Sequence, residues 1–415
     1  MREKSRKIIK KLLIVFLLII LYSYILAITN LPDELVIFEG ESISLRTLLG
    51  LNIKTKDEDT IETASNNSQA ISSKTTGKAT LEVNLFDSIN LKKVNVDVLP
   101  RTKVIPVGNI AGVKLYTNGV LVVGMSEIEG QDNKKYKPYE NTGIKEGDTI
   151  TKINQKQINS TEELIETVNS SQGKQINMQY IHGEQTKECS ILPVKTSNSQ
   201  YKLGLWVRDS AAGVGTVSFY EPTSKTFGAL GHGITDIDTN ELINIASGEF
   251  VTTRILNITK GESGNPGKIQ GTVENQANIG KIYKNSKFGI YGKVDNVSSL
   301  NLDTTKEMDV ALREEIQTGK ATILCSLDNQ KPQEYEIEIE KIYKENNYDN
   351  KSMQIRITDQ KLLEKTGGII QGMSGSPVIQ NGKFCGAVTH VLVNSPTEGY
   401  AVFGDIMIKQ SKEVK

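Results

Sequence analysis

Residues 372–377 read Gly-Met-Ser-Gly-Ser-Pro and place Ser374 at a glycine-flanked bend. An apolar stretch, an Asn-Gly pair and a second apolar stretch follow, which predicts two strands joined by a hairpin turn. A serine at such a bend has an exposed hydroxyl beside unobstructed backbone N–H groups, and acyl transfer needs both a nucleophile and donors for the oxyanion. Ser374 is therefore the candidate nucleophile. The esterase elbow Gly-x-Ser-x-Gly is excluded because residue 376 is Ser and no strand–helix pattern surrounds it.

Three histidines could serve as the base for this serine. His232 stands in Gly-Ala-Leu-Gly-His-Gly after a predicted strand, where glycines let another segment approach closely. His182 lies in a predicted surface hairpin, and His390 follows the strand after the nucleophile. We therefore assign His232 as the base, and His390 to substrate contact or core packing.

A carboxylate is expected to orient the imidazole. Asp359 ends an alternating stretch fifteen residues before Ser374, and a strand end is a rigid place from which a carboxylate can hold a histidine tautomer. Asp359 is the predicted third member of a triad. The sequence leaves four other carboxylates open: Asp236, Asp238, Asp295 and Asp309.

The elements that must position these residues are short strands. From residue 197 to residue 415 the chain is rich in glycine, with apolar or alternating stretches at close spacing and few helical patterns. This pattern predicts a β-barrel or sandwich domain over residues 197–415.

Residues 101–196 have a different order: a glycine turn, two strands, a Gly-Asp hairpin and a capped helix. Ser160 and Glu163 form a capping-box pattern, after which apolar residues recur at helical spacing. The order resembles a PDZ domain, which implies a groove between the second strand and the helix for an extended peptide. The resemblance places the carboxylate-binding loop at Asn109, Ile110, Ala111 and Gly112, with Ala111 replacing an expected glycine. An α+β spacer without a ligand is the alternative.

Residues 33–100 contain strand-like stretches at 34–38 and 93–98, separated by a polar segment at 56–78. These features predict a small β module with a long flexible loop. Three cysteines are too few for a disulfide framework and are interpreted as small buried side chains.

Residues 1–32 indicate a membrane anchor. Six basic residues and one acidic residue within positions 1–11 precede 21 uncharged residues from Leu12 to Pro32, enough to cross a bilayer as a helix. The positive-inside rule then places the rest of the chain outside the cytoplasm, and a cleaved signal peptide is the alternative. Lys and Arg together equal Asp and Glu at 49 each, so the overall charge gives no indication of a nucleic-acid partner.

The segment around Ser374 is similar to the nucleophile region of chymotrypsin-like peptidases. The resemblance implies that the N–H groups of Gly372 and Ser374 form the oxyanion hole, and it makes Ser376 a poor nucleophile because glycine usually precedes this proline. Met373 stands where digestive enzymes carry an aspartate that pairs with a new N-terminus. Regulation is therefore expected to involve the PDZ-like unit, so that deleting residues 101–196 changes timing or substrate choice and leaves the Ser374 hydroxyl reactive.

The anchor, the PDZ-like unit, Gly-His-Gly-Ile-Thr-Asp, Ile-Thr-Asp and the serine segment together resemble the stage IV sporulation protein B peptidases of endospore-forming bacteria. The resemblance implies a mainly β multidomain protein with a chymotrypsin-like barrel domain, a catalytic set of His232, Asp359 and Ser374, and no metal or cofactor. It implies an enzyme of the forespore membrane, with its catalytic domain in the space facing the mother cell.

The expected partners are the membrane, a PDZ ligand from the same chain or another protein, and protein substrates that regulate an intramembrane protease. Their cleavage would activate sigma-K processing, and self-cleavage is also expected. A catalytically silent scaffold that presents the PDZ-like groove is the alternative function. A Ser374→Ala variant separates the two, because removing a triad nucleophile lowers kcat by on the order of a millionfold.

Overall fold

A computed structural model describes residues 2–29, 31, 33–45, 50–63, 69–183, 185–300, 302–343 and 349–414. Helix α1 (Arg2–Thr29) contains a stretch, Ile9–Thr29, that is long and apolar enough to cross a membrane. Its apolar side chains are exposed along most of this length, and the described residues contain no second helix of this kind. The helix is consistent with a single-pass membrane protein.

The segment after α1 forms two small sheets around one core. Its strands are β1 (Glu34–Phe38), β2 (Ser42–Leu45), β3 (Leu51–Thr55), β4 (Ile61–Thr63), β5 (Gln69–Ser73), β6 (Gly77–Leu85) and β7 (Ile89–Leu99). One sheet has the order β1-β7-β6-β3, with β1 parallel to β7, and the other has the order β2-β5-β4. Tyr24, Ala27 and Ile28 of α1 pack against the same core.

Strands β4 and β5 lie within the segment predicted as a flexible loop, so that prediction is wrong for these residues. Ile61 and Ile71 are almost completely buried in the core of the module. Each of these strands has only one large apolar residue in an otherwise polar sequence. The alternation of apolar and polar residues that normally marks a strand is therefore absent. Residues 64–68 lie outside the described residues.

The next part of the chain contains two intertwined units. Its elements are β8 (Lys103–Pro106), β9 (Ile110–Met125), β10 (Ile128–Glu129), β11 (Lys135–Tyr136), β12 (Thr149–Ile153), β13 (Lys156–Gln157), α2 (Thr161–Ser170), β14 (Ile176–His182), β15 (Gln185–Ile191), β16 (Val194–Lys195), β17 (Tyr201–Lys202), β18 (Leu205–Glu221), β19 (Thr226–Ala229), β20 (Ile245–Thr259), β21 (Lys268–Ser286), β22 (Gly289–Val294) and β23 (Met308–Asp309). Two 3₁₀ turns, Val297–Leu300 and Thr304–Lys306, precede β23.

Six of these strands form a closed ring, here called the first barrel. The pairings run β9-β20-β21-β22-β19-β18 and return from β18 to β9. The part of β9 in this ring is residues 110–117, which pair with β18 from Ser210 to Thr216 and with β20. The core of the barrel is apolar and includes the stacked rings of Phe227 and Phe250.

Strands β9 and β18 continue out of the first barrel into the PDZ-like unit. Residues 120–125 of β9 pair with β12 and with residues 205–208 of β18, and β12, β14 and β15 extend this sheet. Helix α2 covers its face through buried Leu164 and Val168. Ser160 caps the helix as predicted, because its Oγ accepts the Glu163 N–H at 3.2 Å, and the Glu163 carboxylate reaches back to the N–H of Asn159, one residue before the cap, at 2.8 Å.

The predicted boundaries of the PDZ-like unit at 101 and 196 need correction. Strand β8 pairs with β18 beside the first barrel, and residues 110–117 of β9 are part of that barrel, so the unit is an insertion between β9 and β18 rather than a preceding domain. Deleting residues 101–196 would remove barrel strands and is not expected to leave Ser374 reactive. In the first barrel, the paired residues of β9 and β18 are about 100 positions apart in the chain, which no local pattern reveals.

The last part of the chain forms the second barrel. It consists of β24 (Gly319–Cys325), β25 (Gln333–Ile342), β26 (Met353–Ile357), β27 (Pro377–Gln380), β28 (Lys383–Leu392) and β29 (Ser395–Phe403), with helices α3 (Gln360–Thr366) and α4 (Gly404–Lys412). The strands close in the order β24-β25-β26-β29-β28-β27. Buried residues of this barrel form one core with Phe219 and Tyr291 of the first barrel, so the two barrels pack directly against each other.

Candidate active site

Ser374 lies in a turn of the second barrel that rests on the first. Gly375 has a φ of +99°, and a Cβ at this position would stand 2.0 Å from the carbonyl oxygen of Thr216 and 2.6 Å from the amide nitrogen of Leu230. Only glycine fits, because strand β18 and Leu230, the residue after β19, occupy the space of a side chain. The Thr216 hydroxyl also donates to the carbonyl oxygen of Gly372 at 2.6 Å. The turn is therefore fixed at both ends by β18.

The reactive groups of this turn are available. The half-buried Ser374 donates its hydroxyl to the carbonyl oxygen of Thr389 at 2.8 Å. Within the described residues, the N–H groups of Gly372 and Ser374 have no hydrogen-bond acceptor. Two free N–H groups around a serine hydroxyl can receive an oxyanion.

His232 reaches the same place from the first barrel. It follows β19 after Leu230 and Gly231, both with positive φ, and a Cβ on Gly231 would stand 2.9 Å from the Thr389 side chain. Thr389 therefore contacts both the Ser374 hydroxyl and the segment that carries His232. The prediction that His232 serves as the base for Ser374 stays a prediction, and this shared neighbour supports it.

The protonation state of His232 suits a base. Its Nδ1 lies 2.9 Å from the carbonyl oxygen of Gly233, which can only accept a hydrogen bond. Nδ1 therefore carries the proton and Nε2 keeps the lone pair. Burial lowers the pKa of His232 below 6.5, although the bond to Gly233 acts in the opposite direction. The imidazole is neutral at neutral pH.

His390 lies in β28 with its ring centroid 5.1 Å from that of His232. Its side chain reaches solvent, but burial of the imidazole in the cleft, followed by the charge of His232, lowers its pKa to about 4. A neutral second imidazole does not oppose protonation of the first. Of the two roles left open by the sequence, substrate contact fits a side chain that lines the cleft and reaches solvent at its mouth, and core packing does not.

Both histidines line a cleft of about 750 Å³ between the barrels. Its polar and charged lining residues are His232, Thr235, Asn240, Lys287, Asp349, Asn350 and His390. Asn350 accepts the Thr389 hydroxyl at 2.8 Å and donates to the Lys287 carbonyl oxygen at 3.1 Å. Asp349 is a carboxylate in this cleft that the sequence patterns did not single out, because it follows a polar stretch with no strand signal.

Asp359 does not orient His232 in this structure, contrary to the prediction. Its carboxylate accepts the Leu362 N–H at 3.0 Å and the Glu336 N–H at 3.4 Å, which makes it the N-cap of α3. The position of Asp359 between β26 and α3 is explained by this cap, because Asp is a favoured N-cap residue. No carboxylate of the described residues hydrogen bonds to the His232 ring.

The other candidate residues have structural roles. Ser376 is completely buried, which agrees with its low rank as a nucleophile. Met373 is also completely buried in the core shared by the barrels. His182 lies in the PDZ-like unit, 2.7 Å from the carboxylate of buried Asp148. Asp236 and Asp238 bind Arg208.

The predicted carboxylate-binding loop also needs correction. Ala111 pairs with Gly215 and Thr252 in the first barrel, and the Asn109 carbonyl oxygen accepts the Val217 N–H at 2.9 Å. A groove of about 490 Å³ instead lies between α2 and residues 203–207. The missed signal is Leu-Gly-Leu at 203–205, where Gly204 has a φ of +75° just before β18.

Comparison with known families identifies the two units. The model of the SpoIVB peptidase S55 family matches residues 199–408, half of the chain. The chain belongs to the SpoIVB peptidase S55 family. A PDZ-domain model matches residues 113–192, which confirms the PDZ unit. The sequence prediction of a sporulation serine peptidase with a PDZ domain is confirmed at this level, and so is the mainly β multidomain fold.

Two proteins of known structure resemble parts of this peptidase. The PDZ domain of the SdrC-like protein from Listeria monocytogenes is 22% identical, over 22% of this chain and 87% of that one, with a TM-score of 0.17. The Rv3671c protease from M. tuberculosis in its active form is 11% identical, over 60% of this chain and 86% of that one, with a TM-score of 0.28. Its inactive form is 13% identical, over 48% and 84%, with a TM-score of 0.27.

Proposed function

We propose that this sporulation serine peptidase is a membrane-anchored endopeptidase in which Ser374 is the nucleophile and His232 the general base. The observation that carries the proposal is the shared contact with Thr389, which accepts the Ser374 hydroxyl and packs on Gly231 beside His232. The neutral tautomer of His232, with its lone pair on Nε2, supports the same roles.

The proposed reaction begins when the Ser374 hydroxyl turns from the Thr389 carbonyl oxygen toward Nε2 of His232. His232 takes the proton as Ser374 Oγ attacks the carbonyl carbon of the scissile peptide, and the N–H groups of Gly372 and Ser374 receive the oxyanion. The imidazolium then protonates the leaving amine, and an acyl-enzyme remains. Water, deprotonated by His232, attacks the acyl carbon of the acyl-enzyme. The ester bond to Ser374 Oγ then breaks, the imidazolium returns its proton to Oγ, and the second product leaves with a new carboxyl group.

The orientation of His232 is assigned to the Gly233 carbonyl oxygen, which selects the tautomer that a triad carboxylate would select. His390 lines the cleft next to this base and is assigned to substrate contact. Because burial keeps its imidazole neutral, it can accept or donate one hydrogen bond to a substrate backbone.

The family and the apolar helix support a proposed biological role. The enzyme would sit in the forespore membrane through α1, with the barrels in the space facing the mother cell. It would cleave proteins that regulate an intramembrane protease, and its own N-terminal region as a second substrate, so that sigma-K processing begins. The PDZ groove between α2 and residues 203–207 would bind a peptide from such a partner or from the same chain.

The test uses the full-length protein in detergent micelles and a fluorophosphonate probe of active-site serines. The wild type is expected to be labelled on Ser374. When it is incubated with candidate regulators of an intramembrane protease, cleavage of these regulators is expected to produce new N-termini. Ser374→Ala and His232→Ala are expected to lose labelling, whereas Ser376→Ala is expected to retain it. Labelling that persists in Ser374→Ala would contradict the assignment of the nucleophile.

A further inference from the structure

Arg208 lies in β18 where this strand passes from the PDZ unit into the first barrel. Its guanidinium nitrogens contact Asp236 Oδ2 at 2.5 Å and Asp238 Oδ2 at 2.9 Å. Both carboxylates belong to the segment 232–243, here called the histidine segment, which begins at the proposed base. Arg208 therefore ties the histidine segment to β18.

Asp236 is the organising residue of that segment. Its side chain is 1% exposed, and its second oxygen accepts the N–H groups of Asp238 and Thr239 at 3.0 Å each. Its own N–H donates to the Glu241 carbonyl oxygen at 2.9 Å. A buried carboxylate depends on a paired cation, so loss of Arg208 would leave an uncompensated charge inside the turn.

The opposite side of the histidine segment is held by the barrel. Asn285 of β21 accepts the Ile234 N–H at 2.9 Å and donates to the carbonyl oxygens of Ile234 and Ile243 at 2.8 and 2.9 Å. His232 stands two residues before Ile234. The segment thus has one fixed side at Asn285 and one side whose position depends on Arg208.

The residue after Arg208 holds the groove helix of the PDZ unit. The Asp209 carboxylate accepts the N–H of Thr161, the first residue of α2, at 2.8 Å. Helix α2 and residues 203–207 form the two sides of the peptide groove. Two consecutive residues of β18, directly after the groove edge, therefore bind the histidine segment and the groove helix.

We propose that Arg208 is a positioning residue that couples occupancy of the PDZ groove to the orientation of His232. An extended peptide added along residues 203–207 shifts β18 relative to α2, and the Arg208 pair with Asp236 transmits that shift to the histidine segment. The proposal rests on the proposed function, since it assigns a consequence to the orientation of His232.

The first test measures labelling of full-length protein by a fluorophosphonate, with the maximal rate and the half-saturating probe concentration determined separately. Arg208→Gln is expected to lower the maximal rate on the order of 10²-fold, because misplacement of a catalytic group by about 1 Å has that effect. The half-saturating concentration is expected to stay within about twofold, because the positioning changes the reaction step rather than probe binding. Arg208→Lys, which keeps a charge for Asp236, is expected to recover at least part of the rate.

The matched control is Arg356→Gln. Arg356 also contacts two carboxylates, Glu338 at 3.0 Å and Glu340 at 2.9 Å, with a similarly exposed side chain on the second barrel. It is expected to be labelled like the wild type. Equal rates for Arg208→Gln and the wild type would overturn the proposal, and so would equal losses in Arg208→Gln and Arg208→Lys.

Hydrogen exchange gives a readout that does not depend on catalysis. Arg208→Gln is expected to exchange faster than the wild type in both the histidine segment and α2, with the second barrel unchanged. Faster exchange in only one of the two regions would overturn the coupling. If Arg208→Gln exchanges faster than the wild type in both regions but the wild type is not labelled at Ser374, the proposed function is contradicted and the coupling stays supported.

Discussion

Thr216 donates its amide N–H to the carbonyl oxygen of Ser374 at 2.9 Å, so a strand of the first barrel holds the proposed nucleophile of the second. Its hydroxyl holds Gly372 on the other side of the turn. Both bonds are buried, and together they set the direction of the N–H groups assigned to the oxyanion.

Thr216→Val is expected to weaken the turn without a change in size. Valine removes the hydroxyl, leaves the buried Gly372 carbonyl oxygen without its donor, and costs about 1–3 kcal/mol in the free energy of unfolding. The maximal rate of fluorophosphonate labelling is expected to fall about tenfold, which corresponds to about 1.4 kcal/mol in transition-state stabilisation. Thr216→Ser keeps the donor and is expected to be labelled nearly as fast as the wild type. Equal rates for the valine and serine variants would contradict this role.

Gly375→Ala is expected to abolish labelling. The new Cβ would stand 2.0 Å from the Thr216 carbonyl oxygen on a backbone with a φ of +99°, so steric overlap adds to backbone strain. Gly382→Ala is the matched control, because Gly382 also has a positive φ, +71°, but a Cβ there would have no neighbouring atom within 4 Å. It is expected to lower the melting temperature slightly and to keep full labelling. A reactive Gly375→Ala protein would show that the barrels are not in this contact.

Asp359 variants distinguish a helix cap from a catalytic carboxylate. Asp359→Ala is expected to cost about 1 kcal/mol in the free energy of unfolding, whereas Asp359→Asn is expected to cost less because Asn also caps helices well. The measurement is the melting temperature of each full-length variant beside its labelling rate. Labelling that follows stability in both variants supports the cap. A stable but unreactive Asp359→Asn protein would show that this carboxylate reaches His232 in another arrangement.

The dependence on pH follows from the two histidines. Since burial lowers the pKa of His232 below 6.5, the acid limb of the labelling rate is expected to be centred below pH 6.5. An acid limb centred above pH 6.5 would contradict a buried neutral base.

The free energy of unfolding is also expected to decrease as the pH falls. The folded protein has lower histidine pKa values than the unfolded chain, so the unfolded chain binds more protons as the pH falls from about 6.5 toward 4, and stability decreases in that window. His390→Gln removes one of these groups and is expected to reduce the loss in melting temperature between about pH 7 and about pH 5. An unchanged loss would show that His390 titrates normally.

The sequence was sufficient for features that depend on local geometry. Glycines beside Ser374 and His232 adopt positive φ values, and Ser160 caps the helix that follows it. Each of these features depends only on neighbouring residues, so the local sequence is enough to predict it. Asp359 was misassigned because a strand end before a helix suits a cap as well as a triad member, and the sequence carries no information on which group faces it.

Features that depend on distant pairing were not predictable. Ala111 looked like part of a PDZ loop because a glycine turn and a strand surround it, but its partners Gly215 and Thr252 lie more than 100 residues away. The contact between Arg208 and Asp236 spans only 28 positions, but it was also hidden, because it depends on how the histidine segment packs beside β18 and not on a local pattern.

The insertion of the PDZ unit between β9 and β18 has a practical consequence for engineering. Tyr116 and Ser210 are directly opposite each other at the edge of the first barrel, so the two points where the chain leaves and re-enters are neighbours. Excising residues 118–207 and joining these ends with a short turn would convert β9 and β18 into an ordinary hairpin that still carries Arg208. The PDZ unit can therefore be removed by an internal cut at this edge, whereas an N-terminal truncation that reaches residue 207 would also remove the barrel part of β9 and open the first barrel.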